Sequence, residues 1–175
     1  DSEEMIIGGT GVDTIDGGDG DDYIDGGAGS DAIYGGDGDD TIVYDALDSV
    51  IDGGAGTDSV LVASGTLDLS GLSNIEVIQL GGDATVIGNA IAGIDASDVA
   101  AATGGGNYTL VINALDGTAN NEVNVDTDFV SNVSALTQGD NFVDINGTEY
   151  YSYTGMFGGD MATLLIDIDS PIDVV

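Results

Sequence analysis

Residues 8 to 43 read GGTGVDTID GGDGDDYID GGAGSDAIY GGDGDDTIV, which is one nonapeptide repeated four times without a slip. A fifth unit, YDALDSVID at residues 44 to 52, keeps the length but loses the glycines, and a sixth, GGAGTDSVL at residues 53 to 61, resumes in register. The fifth unit is therefore a degenerate turn and not an insertion. Self-similarity at a short fixed period is typical of a solenoid, in which each repeat stacks on its neighbours.

Each nonapeptide divides into a turn and a short strand. The first six residues are mostly turn formers, and the eighth is aliphatic in every unit: Ile15, Ile24, Ile33, Ile42, Ile51 and Val60. Because side chains alternate across a strand, one apolar residue in each short strand predicts a thin shared interior. The pattern predicts a β-solenoid in which two nonapeptides make one coil, so that turns eighteen residues apart stack on the same side.

The charge balance is extreme. The chain of 175 residues carries 33 Asp and Glu and no Lys, Arg or His, so no side chain can be cationic. Each carboxylate must stay solvated, become protonated or bind a metal, and self-repulsion at this level opposes a compact state. A strongly acidic composition also allows disorder, but the aliphatic runs and the regular glycine period argue against a fully disordered chain once divalent cations are bound.

The same composition excludes several partners. A chain without cations cannot release phosphate counterions, which excludes nucleic acid, and it has nothing to attract an anionic membrane surface. No apolar run approaches the roughly 20 residues of a membrane span, so membrane insertion is not expected. Residues 1 to 7, DSEEMII, lack the features of a signal peptide. Cysteine is absent, so a bound metal would have to replace disulfides in an extracellular protein.

The composition changes after Leu61, and we place a boundary between a domain of residues 1 to 61 and a second of residues 62 to 175. The aliphatic residues between 66 and 80 are spaced as in a leucine-rich or β-solenoid coil. The pattern predicts further strands at residues 83 to 94, 107 to 115 and 162 to 169, a short helix at 97 to 103, and a hairpin turn at Asn146-Gly147. We interpret the second segment as a β-rich cap that continues the solenoid.

The glycine-rich turns suit calcium. Calcium takes six to eight oxygen ligands and accepts both carboxylates and backbone carbonyls. Glycine allows dihedral angles closed to other residues, so consecutive carbonyls can point into one pocket, and the aspartate at position six adds negative charge. One GGxGxD turn supplies about half of such a shell, and two stacked turns supply the whole of it.

These units resemble the RTX nonapeptide repeat, GGxGxDxUx, the calcium-binding β-roll of proteins exported by bacterial type I systems. Five of the six units carry the motif, and only the fifth departs from it. The resemblance implies an all-β fold, a right-handed parallel β-roll of nonapeptide repeats continued and capped by a β-rich C-terminal domain. It also implies several calcium ions (Ca2+) as the cofactor.

In that family the upper turn gives its second and fourth carbonyls and its aspartate, and the stacked turn gives its first and third carbonyls and its aspartate. The resemblance therefore implies three sites in this sequence. The first joins Gly9, Gly11 and Asp13 to Gly26, Ala28 and Asp31; the second joins Gly18, Gly20 and Asp22 to Gly35, Asp37 and Asp40; the third joins Gly36, Gly38 and Asp40 to Gly53, Ala55 and Asp58.

A fourth site is compromised. It would pair Gly27, Gly29 and Asp31 with the degenerate turn, where Tyr44, Ala46 and Ser49 replace the expected groups. Ser49 carries no charge, and Asp48 comes one position early. Three aspartates that flank the turns are expected to remain solvated: Asp19, Asp21 and Asp39.

The second segment resembles the C-terminal region of large RTX adhesins, through TLDLSGLSNIEVIQL, ASDVAAAT, DINGTEYYSYT and ATLLIDID. The resemblance implies a type I secretion region, with the ABC exporter, the periplasmic adaptor and the outer-membrane channel as partners, and a secreted or bacterial cell-surface location. We expect a monomer that is not an enzyme, and disorder of the first third without calcium. The function implied is a module that folds on calcium outside the cell and thereby drives export.

Other functions remain open. RTX repeats also occur as tails of secreted hydrolases, although no pair of carboxylates here stands out for catalysis. Some RTX solenoids bind ice through rows of Thr, but only Thr10 occupies the third turn position. Four tyrosines could stack on carbohydrate, although core and hairpin packing is the expected role: Tyr108, Tyr150, Tyr151 and Tyr153.

Overall fold

Parallel strands stacked in a β-solenoid of about four coils dominate the computed structural model. It describes residues 2–81, 84–87, 101–103, 109–114, 121–123, 142–145, 148–157, 160–167 and 172–174. In chain order the strands are β1 (Met5–Ile7), β2 (Thr14–Asp19), β3 (Tyr23–Asp25), β4 (Ala32–Asp37), β5 (Thr41–Val43), β6 (Val50–Ala55), β7 (Ser59–Val62), β8 (Gly65–Asp68), β9 (Leu72–Ser73), β10 (Val77–Leu80), β11 (Ala84–Ile87), β12 (Thr109–Ala114), β13 (Asn121–Val123), β14 (Phe142–Ile145), β15 (Thr148–Phe157), β16 (Asp160–Asp167) and β17 (Ile172–Val174). A short 3-10 helix spans Leu69–Gly71.

The repeats alternate between two parallel sheets. One contains β1, β3, β5 and β7 in that order, and the other contains β2, β4, β6 and β9. Partners within a sheet are eighteen residues apart in the repeats, as where Ile24 pairs with Ile42 and Ile15 with Ile33. Two nonapeptides therefore make one coil, and the predicted β-solenoid is confirmed.

The interior between the two sheets is thin. The eighth residue of every unit is buried: Ile15, Ile24, Ile33, Ile42, Ile51 and Val60. Burying one such side chain stabilises a fold by about 1.5–3 kcal/mol, and each coil contributes only two from the repeat pattern. The free energy gained by burying this core therefore offsets only part of the repulsion among so many carboxylates.

The solenoid continues past the repeats. In the first sheet, β10 pairs in parallel with β7 and β12, and β12 pairs with β16. A third parallel sheet runs β17-β13-β11-β8. Strands β14, β15 and β16 pair antiparallel at the end of the first sheet. The expected β-rich continuation is therefore present.

Several predicted elements fall partly outside the described residues. Strand β16 begins and ends two residues before the predicted strand, and Ile145 pairs with Thr148 across the predicted hairpin, whose turn residues 146 and 147 lie outside the description. Residues 101 and 102 are helical, whereas 97 to 100 are not described. Over the described ranges, no helix is both long and apolar enough to cross a membrane.

Candidate metal centres between the stacked turns

The glycine turns share one backbone conformation. Glycines at positions two and four all have positive φ, between 88° at Gly27 and 157° at Gly29. A side chain at these positions would be strained, which explains the need for glycine. The degenerate turn, residues 44 to 49, contains no residue with positive φ. Its backbone therefore cannot repeat the carbonyl arrangement of the other turns.

This conformation directs carbonyl oxygens into the gap between stacked turns. In the first predicted site, the Gly9 carbonyl accepts a hydrogen bond from the Ala28 N–H at 2.8 Å, and the Gly11 carbonyl lies against Gly29. From the lower turn, the Gly26 carbonyl accepts from the Gly9 N–H at 3.2 Å and the Ala28 carbonyl from the Gly11 N–H at 2.8 Å. Each oxygen keeps a second lone pair that can bind a cation.

The arrangement recurs in the other two predicted sites. In both, the N–H at position four donates to the position-three carbonyl of the lower turn at 2.8 Å. The carbonyls that face the opposite turn are those of Gly18, Gly20, Gly35 and Asp37 in the second site and of Gly36, Gly38, Gly53 and Ala55 in the third. The structure therefore brings together the carbonyls assigned to each of the three sites.

Aspartates at position six form two ladders, one of Asp13 and Asp31 and the other of Asp22, Asp40 and Asp58, because turns stack only at a spacing of eighteen residues. In each ladder the Oδ1 atom of the later aspartate accepts a hydrogen bond from the backbone N–H of the earlier one: Asp31 from Asp13 at 2.8 Å, Asp40 from Asp22 at 2.8 Å, and Asp58 from Asp40 at 2.9 Å. These are the carboxylate pairs predicted for the first, second and third sites. Each pair is thus held one coil apart.

The other carboxylate oxygen of these aspartates is buried and has no hydrogen-bond partner among the described residues. The oxygens concerned are Oδ2 of Asp13, Asp22, Asp31, Asp40 and Asp58. A buried polar group without a partner costs about 1–3 kcal/mol, and a charged one costs more. The five oxygens along the two ladders need either protons or cations, and a cation in each gap would satisfy them.

The unpartnered oxygen converges with a carbonyl from the turn below. A Cβ atom built on Gly8 would lie 2.5 Å from the Gly26 carbonyl oxygen and 3.1 Å from Asp13 Oδ2. The corresponding position at Gly17 is equally crowded by the Gly35 carbonyl. The two oxygens therefore border one small space, which a side chain would fill. These residues fit a cation that prefers oxygen ligands.

Side chains alone do not complete a site. Within the part of the chain that the structure describes, no three Asp, Glu, His or Cys side chains come together as metal ligands. Each gap instead combines two carboxylates with facing carbonyl oxygens, a donor set that suits calcium and not zinc, since zinc is held by nitrogen, sulfur and carboxylate ligands.

Burial perturbs the ladder electrostatically. It raises the pKa of Asp58 to about 7, with further contributions from the charges of Asp40 and Glu76. Burial likewise raises the pKa of Asp40, and the charge of Asp22 adds to the effect. Without a metal, Asp40 and Asp58 therefore hold their protons more tightly than solvated carboxylates do, because ionisation places like charges in a desolvated space.

The degenerate turn closes on itself. The Asp48 N–H donates to the Asp45 carbonyl at 3.0 Å, and the Leu47 N–H donates to Asp45 Oδ1 at 2.8 Å. A Cβ atom built on Gly26 would have Asp31 and Ile33 as its nearest neighbours. By contrast, a Cβ atom built on any other first-position glycine would meet a carbonyl oxygen from the turn below. The lower half of the fourth predicted site thus lacks the carbonyl assigned to Tyr44.

A different carboxylate faces Asp31 in that gap. The Ser49 hydroxyl donates to the Asp31 carbonyl at 2.8 Å and contributes no charge. Asp48 Oδ1 is buried without a partner among the described residues, and burial, together with the charge of Asp31, raises the pKa of Asp48. Gly27 and Gly29 keep the turn conformation of the upper half. The fourth site remains a prediction with an altered donor set.

The ladder extends beyond the predicted residues. Asp22 Oδ1 accepts from the Glu4 N–H at 2.8 Å, and Glu76 Oε2 accepts from the Asp58 N–H at 2.9 Å. Sequence reasoning missed Glu76, although its spacing of eighteen residues from Asp58 was a usable signal. Asp21 and Asp39 are exposed, as expected.

Comparison with known families agrees with this geometry. Residues 5–43 and 48–66 match the RTX calcium-binding nonapeptide repeat, in four copies, and the gap between them falls in the degenerate turn. The chain therefore carries RTX calcium-binding repeats in a β-roll, and such repeats bind calcium and are typical of secreted proteins. Neither the curated proteins nor the solved structures yielded a match.

Proposed function

We propose that this chain is a calcium-dependent folding module from the C-terminal end of a type I secreted RTX adhesin. The observation that carries the proposal is the set of five buried, unpartnered Oδ2 atoms between stacked turns, in a chain with no cationic side chain. Calcium supplies the positive charge that the sequence lacks. The module is unfolded in the cytosol and folds outside the cell.

The sites themselves explain the coupling of binding to folding. Each gap takes its ligands from two turns that lie one coil apart, so the unfolded chain contains no preformed site. The free energy of calcium binding then becomes free energy of folding. Extracellular calcium modules bind at roughly 10⁻⁴ to 10⁻³ M, which is far above cytosolic free calcium.

Shared ligands make the folding cooperative from coil to coil. Asp40 accepts the Asp22 N–H through Oδ1 and presents Oδ2 to the gap below, so it serves the second and third sites together. Filling one gap positions a carboxylate for the next. Folding that begins at one coil can therefore propagate along the repeats, as in other solenoids.

Coupling of folding to calcium binding would assist export of the chain. The ABC exporter, the periplasmic adaptor and the outer-membrane channel pass an unfolded chain, and the C-terminal end leaves first. Calcium-driven folding outside then prevents the chain from sliding back. Residues 62 to 175 carry the secretion region and cap the roll at the cell surface or in the medium.

Secretion of a ladder variant tests the proposal. The variant changes five residues to Ala: Asp13, Asp22, Asp31, Asp40 and Asp58. Its control neutralises five exposed acids, Glu3 to Gln and Asp16, Asp19, Asp21 and Asp39 to Asn. Asn keeps a side-chain oxygen, so Asp21→Asn and Asp39→Asn can still accept from the backbone N–H groups of Asp39 and Thr57. Both lose the same charge, so only the ladder variant should leave a type I exporting cell more slowly in millimolar external calcium. Secretion of the ladder variant at the wild-type rate would contradict the proposal.

A further inference from the structure

We propose an additional calcium site outside the nonapeptide repeats, between the last glycine turn, residues 53 to 58, and the segment Asn74–Glu76. It rests on the calcium chemistry of the proposed function but uses residues beyond the repeat match, which ends at residue 66. We call it the junction site, because it lies where the repeats meet the rest of the solenoid.

Strand pairing places the two segments of the junction site on top of each other. Asp52 in β6 pairs with Ser73 at the end of β9, and Ser59 at the start of β7 pairs with Val77 at the start of β10. The six turn residues between Asp52 and Ser59 therefore stack on only three residues, 74 to 76. The coil continues, although the GGxGxD motif has disappeared from its lower turn.

Asn74 supplies the carbonyl that a repeat would supply. In the three predicted repeat sites, a Cβ built on the first glycine of the upper turn meets a carbonyl oxygen of the turn below and Oδ2 of its own aspartate. A Cβ built on Gly53 would overlap the Asn74 carbonyl oxygen and lie 2.6 Å from Asp58 Oδ2. The Asn74 carbonyl thus occupies the position of a first-position glycine carbonyl.

Glu76 supplies the second carboxylate. Its Oε2 atom accepts a hydrogen bond from the Asp58 N–H at 2.9 Å, as position-six aspartates do in the repeats. The longer side chain of Glu reaches the ladder from a shorter segment. The ladder therefore ends on a glutamate that the repeat motif does not include.

Asp58 gives the independent evidence that the gap binds a ligand. Its side chain is fully buried, and its Oδ2 atom has no partner among the described residues. Its Oδ1 atom is already used by the Asp40 N–H on the side of the third site. The remaining oxygen faces Gly53 and the Asn74 carbonyl, so the third site does not account for it.

The backbone of both segments of the junction site has the conformation that directs carbonyl oxygens into a gap between turns. Gly54 and Gly56 have φ of 105° and 151°, within the range of the equivalent glycines whose carbonyls face the turn below. Asn74 is the one residue other than glycine with positive φ in the described ranges, at 53°, and its Nδ2 donates to Asp52 Oδ1 at 2.6 Å. Asn tolerates this conformation better than most residues.

The donor set suits calcium but is smaller than that of a repeat site. It comprises the carbonyls of Gly54, Gly56 and Asn74 and the carboxylates of Asp58 and Glu76. The three-residue lower segment has no third-position carbonyl, so water completes the six to eight ligands that calcium takes. We therefore expect the junction site to fill at higher calcium concentration than the three repeat sites.

Counting bound calcium by equilibrium dialysis of the whole chain tests the junction site. Glu76→Gln should bind one calcium fewer than the wild type, and the matched control Glu3→Gln, which neutralises an exposed glutamate, should bind the wild-type number. Equal counts for Glu76→Gln and the wild type would overturn the junction site while leaving the repeat sites intact. A wild type that binds no calcium would instead overturn the proposed function.

A second variant guards against misfolding of the first. If circular dichroism shows that Glu76→Gln does not fold at saturating calcium, Glu76→Asp replaces it, because it keeps the charge but shortens the reach. It should raise severalfold the calcium concentration that fills one site and leave the others unchanged. A wild-type titration from Glu76→Asp would overturn the junction site.

Discussion

The Asp58 carboxyl group makes the stability of the calcium-free fold depend on pH. Burial, with the nearby charges of Asp40 and Glu76, raises its pKa to about 7, against about 3.9 in an unfolded chain. An acid whose pKa rises on folding holds its proton more tightly in the folded state. Its contribution to the stability of the calcium-free fold is therefore complete below about pH 4 and is lost as the pH rises through about 7.

The calcium-free protein should consequently gain structure on acidification. Circular dichroism of metal-free protein should show more β structure at about pH 5 than at about pH 8, and Asp58→Asn, which cannot ionise, should show a smaller difference. Calcium competes with the proton for the same oxygens, so the calcium concentration needed for folding should rise as the pH falls. A calcium-free spectrum that loses β structure on acidification over this range would contradict the electrostatic account.

Single residues of the site were predictable to different degrees. The position of Asp13 or Asp40 in the motif predicts that its carboxylate faces a gap between turns. Which oxygen of each carboxylate accepts a hydrogen bond and which remains unpartnered was not predictable, since this depends on the backbone N–H that lies one coil above. In the structure, the ladder hydrogen bonds use Oδ1 and leave Oδ2 for a cation.

Among the elements of the fold, the conformation of the turn decides whether a gap can bind calcium. Replacing residues 44 to 49, YDALDS, with GGAGTD should add one bound calcium, because the gap beneath Asp31 would gain carbonyls and a carboxylate. Equilibrium dialysis measures the difference from the wild type.

Loss of the Tyr44 hydroxyl, which donates to the Thr66 carbonyl at 3.1 Å, should cost about 0.5–1.5 kcal/mol of stability.

The control for this replacement is Ser49→Asp. It restores the charge at position six but leaves the closed turn around Asp45, so the carbonyls remain misdirected. We expect no added calcium from this single change. If Ser49→Asp added a calcium as readily as the full replacement, charge and not turn conformation would limit the fourth gap.

The elements were predictable wherever the period was intact. The nonapeptide repeat predicted the eighteen-residue register and the buried column of aliphatic residues because both follow from a regular spacing. It also predicted a short strand in each unit, but β2, β4 and β6 continue through the first three residues of the next turn. The junction site was not predictable in this way, because three residues there replace six and a glutamate replaces an aspartate. Beyond it the register lengthens irregularly, as where Val77 pairs with Val111, and no local pattern specifies such a pairing.

The whole molecule combines a thin core with a net charge of −33 and no compensating cation. Each repeat coil buries two aliphatic side chains from the motif, while its ladder buries carboxylates that no protein group neutralises. Calcium in the gaps resolves both problems, because it screens the repulsion and links one coil to the next. This charge balance therefore requires that the repeat segment does not persist at neutral pH without calcium.

Far-ultraviolet circular dichroism during a calcium titration at neutral pH tests this requirement most directly. The wild type should change cooperatively from a disordered to a β spectrum as calcium enters the millimolar range, and chelator should reverse the change. The ladder variant, with Asp13, Asp22, Asp31, Asp40 and Asp58 changed to Ala, should not respond. A wild-type β spectrum that is already complete in chelator would contradict the account.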